Sequence, residues 1–348
     1  MSSNKNSRKQ TMLTSLNESI HRMMKENKLV IVIGEDIADP YGGAFKVTQY
    51  LSANFPERVF TTPISEAAIT GIATGMAIRG FLPIAEIMFG DFLMLAGDQL
   101  VNHASKFRWM YNDGVQVPAV FRTPVGGRRG YGPTHSQCLE KHFLGVPGLL
   151  VVAPHIIDNP GSLLELAVLT SIDPVLFLES KACYGRRLIQ NIPGMHIETF
   201  SDNEFFFPTT YIYHQDVSSS PDGILFCYGP MVPICLEAIQ KLRKQESLFI
   251  NLAIFTQLSP PPVTHIRQLI AKNSTSLFIY GEEASSIGGW GAEMIAQVEE
   301  IRSEDRELSE IMHCRIGAKY TPIGCSHESE KNALPQVDDI IDKILLFL

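Results

Sequence analysis

The stretch "RVFTTPISEAAITGIATGMAIRGFLPIAEIMFGDF", residues 58–92, decides the fold. Two apolar runs, "RVFTTPI" (58–64) and "LPIAEIMF" (82–89), flank a small-residue segment whose pattern is helical over 65–79. Runs apolar almost without interruption suit a parallel sheet covered on both faces, because neither side of the strand then meets water. The same grammar extends outward. "LVIVIGED" (29–36), "VPAVFRTP" (117–124), "LLVVAP" (149–154) and "PVLFLES" (174–180) read as further strands, with helical stretches at 11–27, 92–110 and 160–171 between them. The expectation is an open α/β unit over residues 1–188.

Residues 189–222 break the pattern by mixing turn formers with aromatics, and they read as a linker packed on the surface. A second series follows over 223–348: strands at 223–229, 248–255, 276–283 and near 309–316, with helices at 231–245, 263–272 and 289–302. The fold class expected is α/β, with two doubly wound domains. At 348 residues the chain is long enough for each to bury its own core.

Bulk properties exclude several functions. A net charge of −8, a pI near 5.7 and no basic stripe argue against nucleic acid as a ligand. No apolar run approaches the roughly 18 residues of a membrane span, so no membrane is expected. The polar, basic start "MSSNKNSRKQ" precedes no apolar run and does not read as a secretory signal. Six scattered cysteines without a CxxC pair suit a reducing compartment and neither a disulfide frame nor a zinc site, so a cytoplasmic protein is expected.

Within 61–77 the puzzle is Glu66, a carboxylate heading an apolar, small-residue helix. A first-turn acid behind the candidate N-cap Ser65 would complement the helix dipole, and that local role is the plain alternative. Gly71 and Gly75 each cost a helix interior about 1 kcal/mol relative to alanine. They suggest a tight backbone approach, either to a partner subunit or within the domain. Polar and aromatic groups also gather where the strands end: Glu35 and Asp36 after the first, Glu66 after the second, Asp91 and Phe92 after the third, and His135 in "GGRRGYGPTHSQ" after the fourth. The carboxyl ends of strands line the ligand crevice of open α/β sheets.

Together "GEDIADPYGGAFKVTQYL", residues 58–92, "AGDQLVNHASKFRWM", "THSQCLEKHFLGVPGLLVVAP" and "DPVLFLESKACYG" resemble the β subunit of the thiamine-diphosphate-dependent 2-oxoacid dehydrogenases, the pyruvate, branched-chain and acetoin types. "GEEASSIGGWGAEM" (281–294) and "CRIGAKYTPIG" (314–324) extend the resemblance, which runs in order from about residue 11 to 345. It implies a transketolase-like pyrimidine-binding domain followed by a transketolase C-terminal domain. It further implies that Glu66 hydrogen-bonds the cofactor's aminopyrimidine and that Phe92 stacks on it, with Ile64 in contact. His135 then serves the substrate and lipoyl side, and Glu35 lies near the subunit interface that couples two active sites.

The family holds the diphosphate through magnesium with a GDG segment, and this chain has only "GDF" (90–92) and "GDQ" (97–99). The resemblance therefore implies no metal ligand here, a cofactor shared with an α subunit that holds the magnesium, an α2β2 heterotetramer with a β–β contact, and a lipoyl acyltransferase partner. Two stretches depart from the family pattern. Arg128 and Arg129 stand where small residues are usual, and are candidates to face the substrate entrance. Residues 325–332 place polar side chains between Pro322 and Leu334–Pro335. The alternatives are the C-terminal half of a split transketolase and a non-catalytic assembly partner of an α subunit.

Overall fold

The computed structural model describes residues 10–201, 207–215, 220–304 and 310–348; the N-terminal reading of residues 1–9 lies outside them, as do 202–206, 216–219 and 305–309. The first strands are β1 (Val30–Glu35), β2 (Val59–Thr62), β3 (Leu82–Glu86), β4 (Val120–Val125), β5 (Leu150–Val152) and β6 (Val175–Ser180). They pair in parallel, with β1 between β2 and β3 and β4 between β3 and β6. Because the pairing is parallel, the carboxyl ends of all six lie along one edge of the sheet. Burial follows the sequence: β4 and β6 are covered at every residue, whereas the outer strand β2 leaves Phe60 exposed.

Helices cover the sheet and are fixed by local chemistry. Met12–Glu26 begins with a capping box between Thr11 and Thr14, and its apolar stripe packs on the helix Pro160–Thr170. There Ser19 Oγ donates to Gly161 O at 2.7 Å, and a Cβ on Gly161 would lie 2.3 Å from Ser15 O, so only glycine permits that approach. The helix expected over 92–110 is instead broken. A 3₁₀ turn at Gly90–Phe92 leads into an α-helix at Leu93–Asp98, a π-helical segment at Gln99–Ala104 and a short helix at Phe107–Met110.

The segment 189–222, expected as an irregular linker, carries β7 (Met195–Phe200) and β8 (Thr209–His214), an antiparallel pair. With β9 (Gly223–Cys227), β10 (Ile250–Phe255), β12 (Leu277–Ser285) and β13 (Met312–Ala318) they form a second sheet in the order β13-β12-β9-β10-β8-β7. β8 joins β10 antiparallel; the other joins among β9, β10, β12 and β13 are parallel. The aromatics that made 189–222 look irregular are strand side chains: Phe200, Tyr211 and Tyr213 stack on one another at 5.2–5.8 Å. A further short strand, β11 (Gln257–Ser259), leaves the second half and pairs antiparallel with β5, extending the first sheet to seven strands. The two halves thus share a sheet edge and a continuous core in which Phe121 and Leu176 cluster with Tyr228, Phe255 and Trp290. No helix among the described residues is long and apolar enough to cross a membrane.

Candidate active site

Glu66 is the first residue of the helix Glu66–Ile78, which follows β2 directly. Capping falls to Ser65, whose Oγ accepts from Ala68 N–H at 3.4 Å. Glu66 is 5 % exposed, and its carboxylate makes no hydrogen bond among the described residues. Nearly covered yet not sealed from solvent, the carboxylate is open to a ligand. Glu35 ends β1, whose register sets it beside Thr62 at the end of β2. Its carboxyl is pushed above the ordinary range by burial first, then by the neighbouring charges of Asp36 and Glu66. The two glutamates are therefore electrostatic neighbours.

Ile69, Ala73 and Ala77 bury one face of this helix, and the opposite face is exposed. Ile64 is 75 % exposed, Ile72 is exposed, and Met94 and Leu95 are exposed on the neighbouring helix. A Cβ on Gly75 would meet nothing within 4 Å, and one on Gly71 only the Gln99 amide. The tight approach expected of these glycines is not made within the described chain.

Phe92 and His135 come together. The 3₁₀ turn after β3 presents Phe92, and the loop after β4 returns His135 against it, with ring centroids 5.2 Å apart and the rings nearly perpendicular. Phe89 also packs edge-on to His135 at 4.8 Å, and Tyr131 and Phe45 complete the cluster around Phe89. His135 Nδ1 lies 3.0 Å from Thr134 Oγ1. Two buried charged residues secure the loop from beneath. Lys181, just past β6, donates from Nζ to His135 O and sits 5.1 Å from the centroid of Phe89; burial holds its ammonium below the ordinary lysine range. Asp91 accepts from Gln137 N and Nε2 at 3.2 and 2.9 Å. Reading the sequence missed Phe45, Phe89, Tyr131 and Lys181 as members of this cluster. Only position carried a signal, since Phe89 and Lys181 each follow a strand.

The two arginines separate. Arg128, expected at a substrate entrance, is turned into the chain. Its Nε donates to Glu283 at 2.8 Å and its terminal nitrogen to Pro335 O at 2.6 Å. A guanidinium committed to a buried carboxylate cannot also serve an incoming anion. Arg129 stays exposed, its guanidinium 5.9 Å from the Phe45 ring, on the rim of the aromatic cluster. Beneath the strand ends, Arg122 of β4 bridges Glu179 of β6, at 2.8 and 2.5 Å, and Glu86 of β3, with Tyr184 donating to Glu179 at 2.6 Å.

Residues 8–186 match the family described as "Transketolase, pyrimidine binding domain". The chain is 32 % identical over 332 residues to the pyruvate dehydrogenase E1 component subunit beta-1, mitochondrial, of Arabidopsis thaliana, covering 95 % of this chain and 87 % of that one. It is 31 % identical over 334 residues to the 3-methyl-2-oxobutanoate dehydrogenase subunit beta of Mycobacterium tuberculosis, covering 95 % and 90 %. It is 33 % identical over 302 residues to the acetoin:2,6-dichlorophenolindophenol oxidoreductase subunit beta of Cupriavidus necator, covering 84 % of each. Among solved structures, "Split gene transketolase, inactive beta4 tetramer" superposes with a TM-score of 0.68 over 97 % of each chain at 19 % identity, a likeness of fold. With its parallel sheet, its helix opening on Glu66 and this coverage, the chain belongs to the family of transketolase-like E1 β subunits of 2-oxoacid dehydrogenases.

Proposed function

We propose that this chain, joined to an α subunit in an α2β2 heterotetramer, completes an active site that decarboxylates a 2-oxoacid oxidatively and passes the acyl group to a lipoyl domain. The observation that carries the reading is Glu66, a buried carboxylate with Ser65 doing the capping and no hydrogen-bond partner among the described residues. Such a group fits the pyrimidine end of thiamine diphosphate, which has a ring nitrogen able to share a proton with it. When bound, the cofactor supplies the carbon nucleophile for the 2-oxo group. Glu66 would hold the proton on that nitrogen, Phe92 would offer a ring face for stacking, and the exposed Ile64 would close over the ring edge. Glu35, its carboxyl raised by burial and by the charges of Asp36 and Glu66, would set a second acid beside Glu66. His135, with Nδ1 engaged by Thr134, would turn Nε2 towards the acyl acceptor.

The diphosphate and its magnesium are assigned to the α subunit, because the chain has no GDG segment. The exposed stripe Ile64, Ala68, Ile72 and Gly75, with Met94 and Leu95 beside it, is assigned to subunit contact. Six free cysteines, five of them buried, support a reducing compartment, for which the cytoplasm is our reading. The split-transketolase alternative has the stretch "GPTHSQ" and a likeness of fold behind it, and is not favoured. The test is calorimetry of thiamine diphosphate with magnesium on the isolated chain and on the chain co-purified with an α subunit. Binding only by the pair is expected; binding tighter than about 1 μM (about 8 kcal/mol) by the isolated chain would sink the shared-site assignment.

A further inference from the structure

The two stretches that depart from the family pattern, Arg128–Arg129 and 325–332, touch each other. Between β4 and His135 the chain runs without regular structure, and Gly126, Arg128 and Gly130 take positive φ of 88°, 69° and 72°. Alternation of that kind turns successive N–H groups to one side, making a concave cradle for an anion. The cradle is filled from the second half of the chain. Glu330, 4 % exposed on the helix His327–Ala333, accepts from the N–H groups of Arg128, of Arg129 at 3.2 Å and of Gly130 at 3.2 Å. Glu283 at the end of β12 accepts from Gly127 N–H at 2.8 Å and also binds the Arg128 side chain. Four consecutive main-chain donors thus end on two carboxylates from beyond residue 280.

We propose that Glu330 is a positioning residue for His135: through the cradle at 128–130 it fixes the entry of the loop whose far end is held by Lys181 and Asp91. The inference rests on the reading of His135 given above. Glu330 touches neither ring of the site, so its loss acts on turnover rather than on substrate affinity. Hydrogen bonds to a charged acceptor are the strong ones; the carboxamide of Glu330→Gln removes the charge and sets a donor where Oε2 accepts from Gly130 N–H.

The test uses the complex with its α subunit and compares Glu330→Gln with the exposed neighbour Glu328→Gln. Hydrogen exchange at the amides of 128–130 should quicken about tenfold or more in Glu330→Gln. In the same variant kcat for the lipoyl-dependent reaction should fall about tenfold, with KM for the 2-oxoacid within about twofold. Glu328→Gln should change neither. Glu330→Asp keeps the charge one methylene short and should loosen the same amides, which preserves the test if the Gln variant fails to assemble. Unchanged exchange at 128–130 would overturn the clasp, and quickened exchange with unchanged kcat would overturn the positioning role. The exchange measurement needs no substrate, so a wild-type complex inactive on every 2-oxoacid would count against the functional reading while exchange still judged the clasp.

Discussion

Arg122→Met removes the cation of a buried network and leaves two carboxylates facing each other under the site. Arg122 is 1 % exposed, Glu86 3 % and Glu179 0 %, so solvent cannot screen what remains. Breaking a buried pair by deleting one partner costs about 3–5 kcal/mol, because the survivors stay desolvated. For a chain of this size that corresponds to a fall in Tm of about 4–7 °C. The penalty should also depend on pH. Burial holds the Glu86 carboxyl above its ordinary 4.5, and Arg122, by its charge and its hydrogen bond, pulls it down. A carboxyl raised in the folded state favours folding when it is protonated, and that contribution fades as pH rises through the folded value. Removing Arg122 raises Glu86 further, so the deficit should be smaller near pH 5 than near pH 8. Thermal melts at both values, on Arg122→Met and on the triple variant Arg122→Met/Glu86→Gln/Glu179→Gln, make the check. The triple variant should recover most of the loss, since an uncharged network carries no ionic desolvation. A single variant within about 2 °C of wild type, short of the expected fall of about 4–7 °C, or a triple variant no better than the single, would refute the reasoning.

Two further outcomes follow from the same structure. Arg129→Ala should lower kcat/KM for one substrate, the 2-oxoacid or the lipoyl domain, with an effect that shrinks at high salt. Steering by an exposed charge is screened over about 8 Å at physiological ionic strength; a salt-independent loss would mean direct binding instead. Gly75→Ala should raise the Tm of the isolated chain, because its Cβ meets open space and alanine gains up to about 1 kcal/mol in a helix interior. If the helix face docks the α subunit, the same variant should weaken assembly in a pull-down titration; undiminished assembly would move the α contact elsewhere.

What could be read in advance was what repeats locally. Uninterrupted apolar runs announced buried parallel strands; β1, β2, β3, β5 and β6 lie inside the stretches expected, and β4 overruns its own by one residue. The order of strands then put Glu35, Glu66, Phe92 and His135 on one edge, since parallel pairing aligns every carboxyl end. The failures are non-local. Phe200 and Tyr211 meet across the antiparallel pair at 5.8 Å, a contact that no period within 189–222 reveals. The broken helix after Phe92 keeps helical spacing while changing its turn from 3₁₀ to α to π. Arg128 looked like a free cation because its partner Glu283 lies 155 residues away. Glu330 had no signal, as a single charged residue reads as surface until the fold buries it, and Lys181 had only its place after a strand.

The most direct measurement is turnover of the chain carrying Glu66→Gln in complex with the α subunit, beside wild type, with pyruvate, 3-methyl-2-oxobutanoate and acetoin as substrates. The carboxamide keeps the size of the side chain and cannot share the proton. Ser65 still caps the helix, so the complex should assemble with an unchanged melting profile. The account predicts a fall in kcat on the order of 10²–10⁴-fold, the usual worth of a positioned proton transfer. A fall of less than about 5-fold in an assembled complex lies below that range and would contradict Glu66 as the acid of the site.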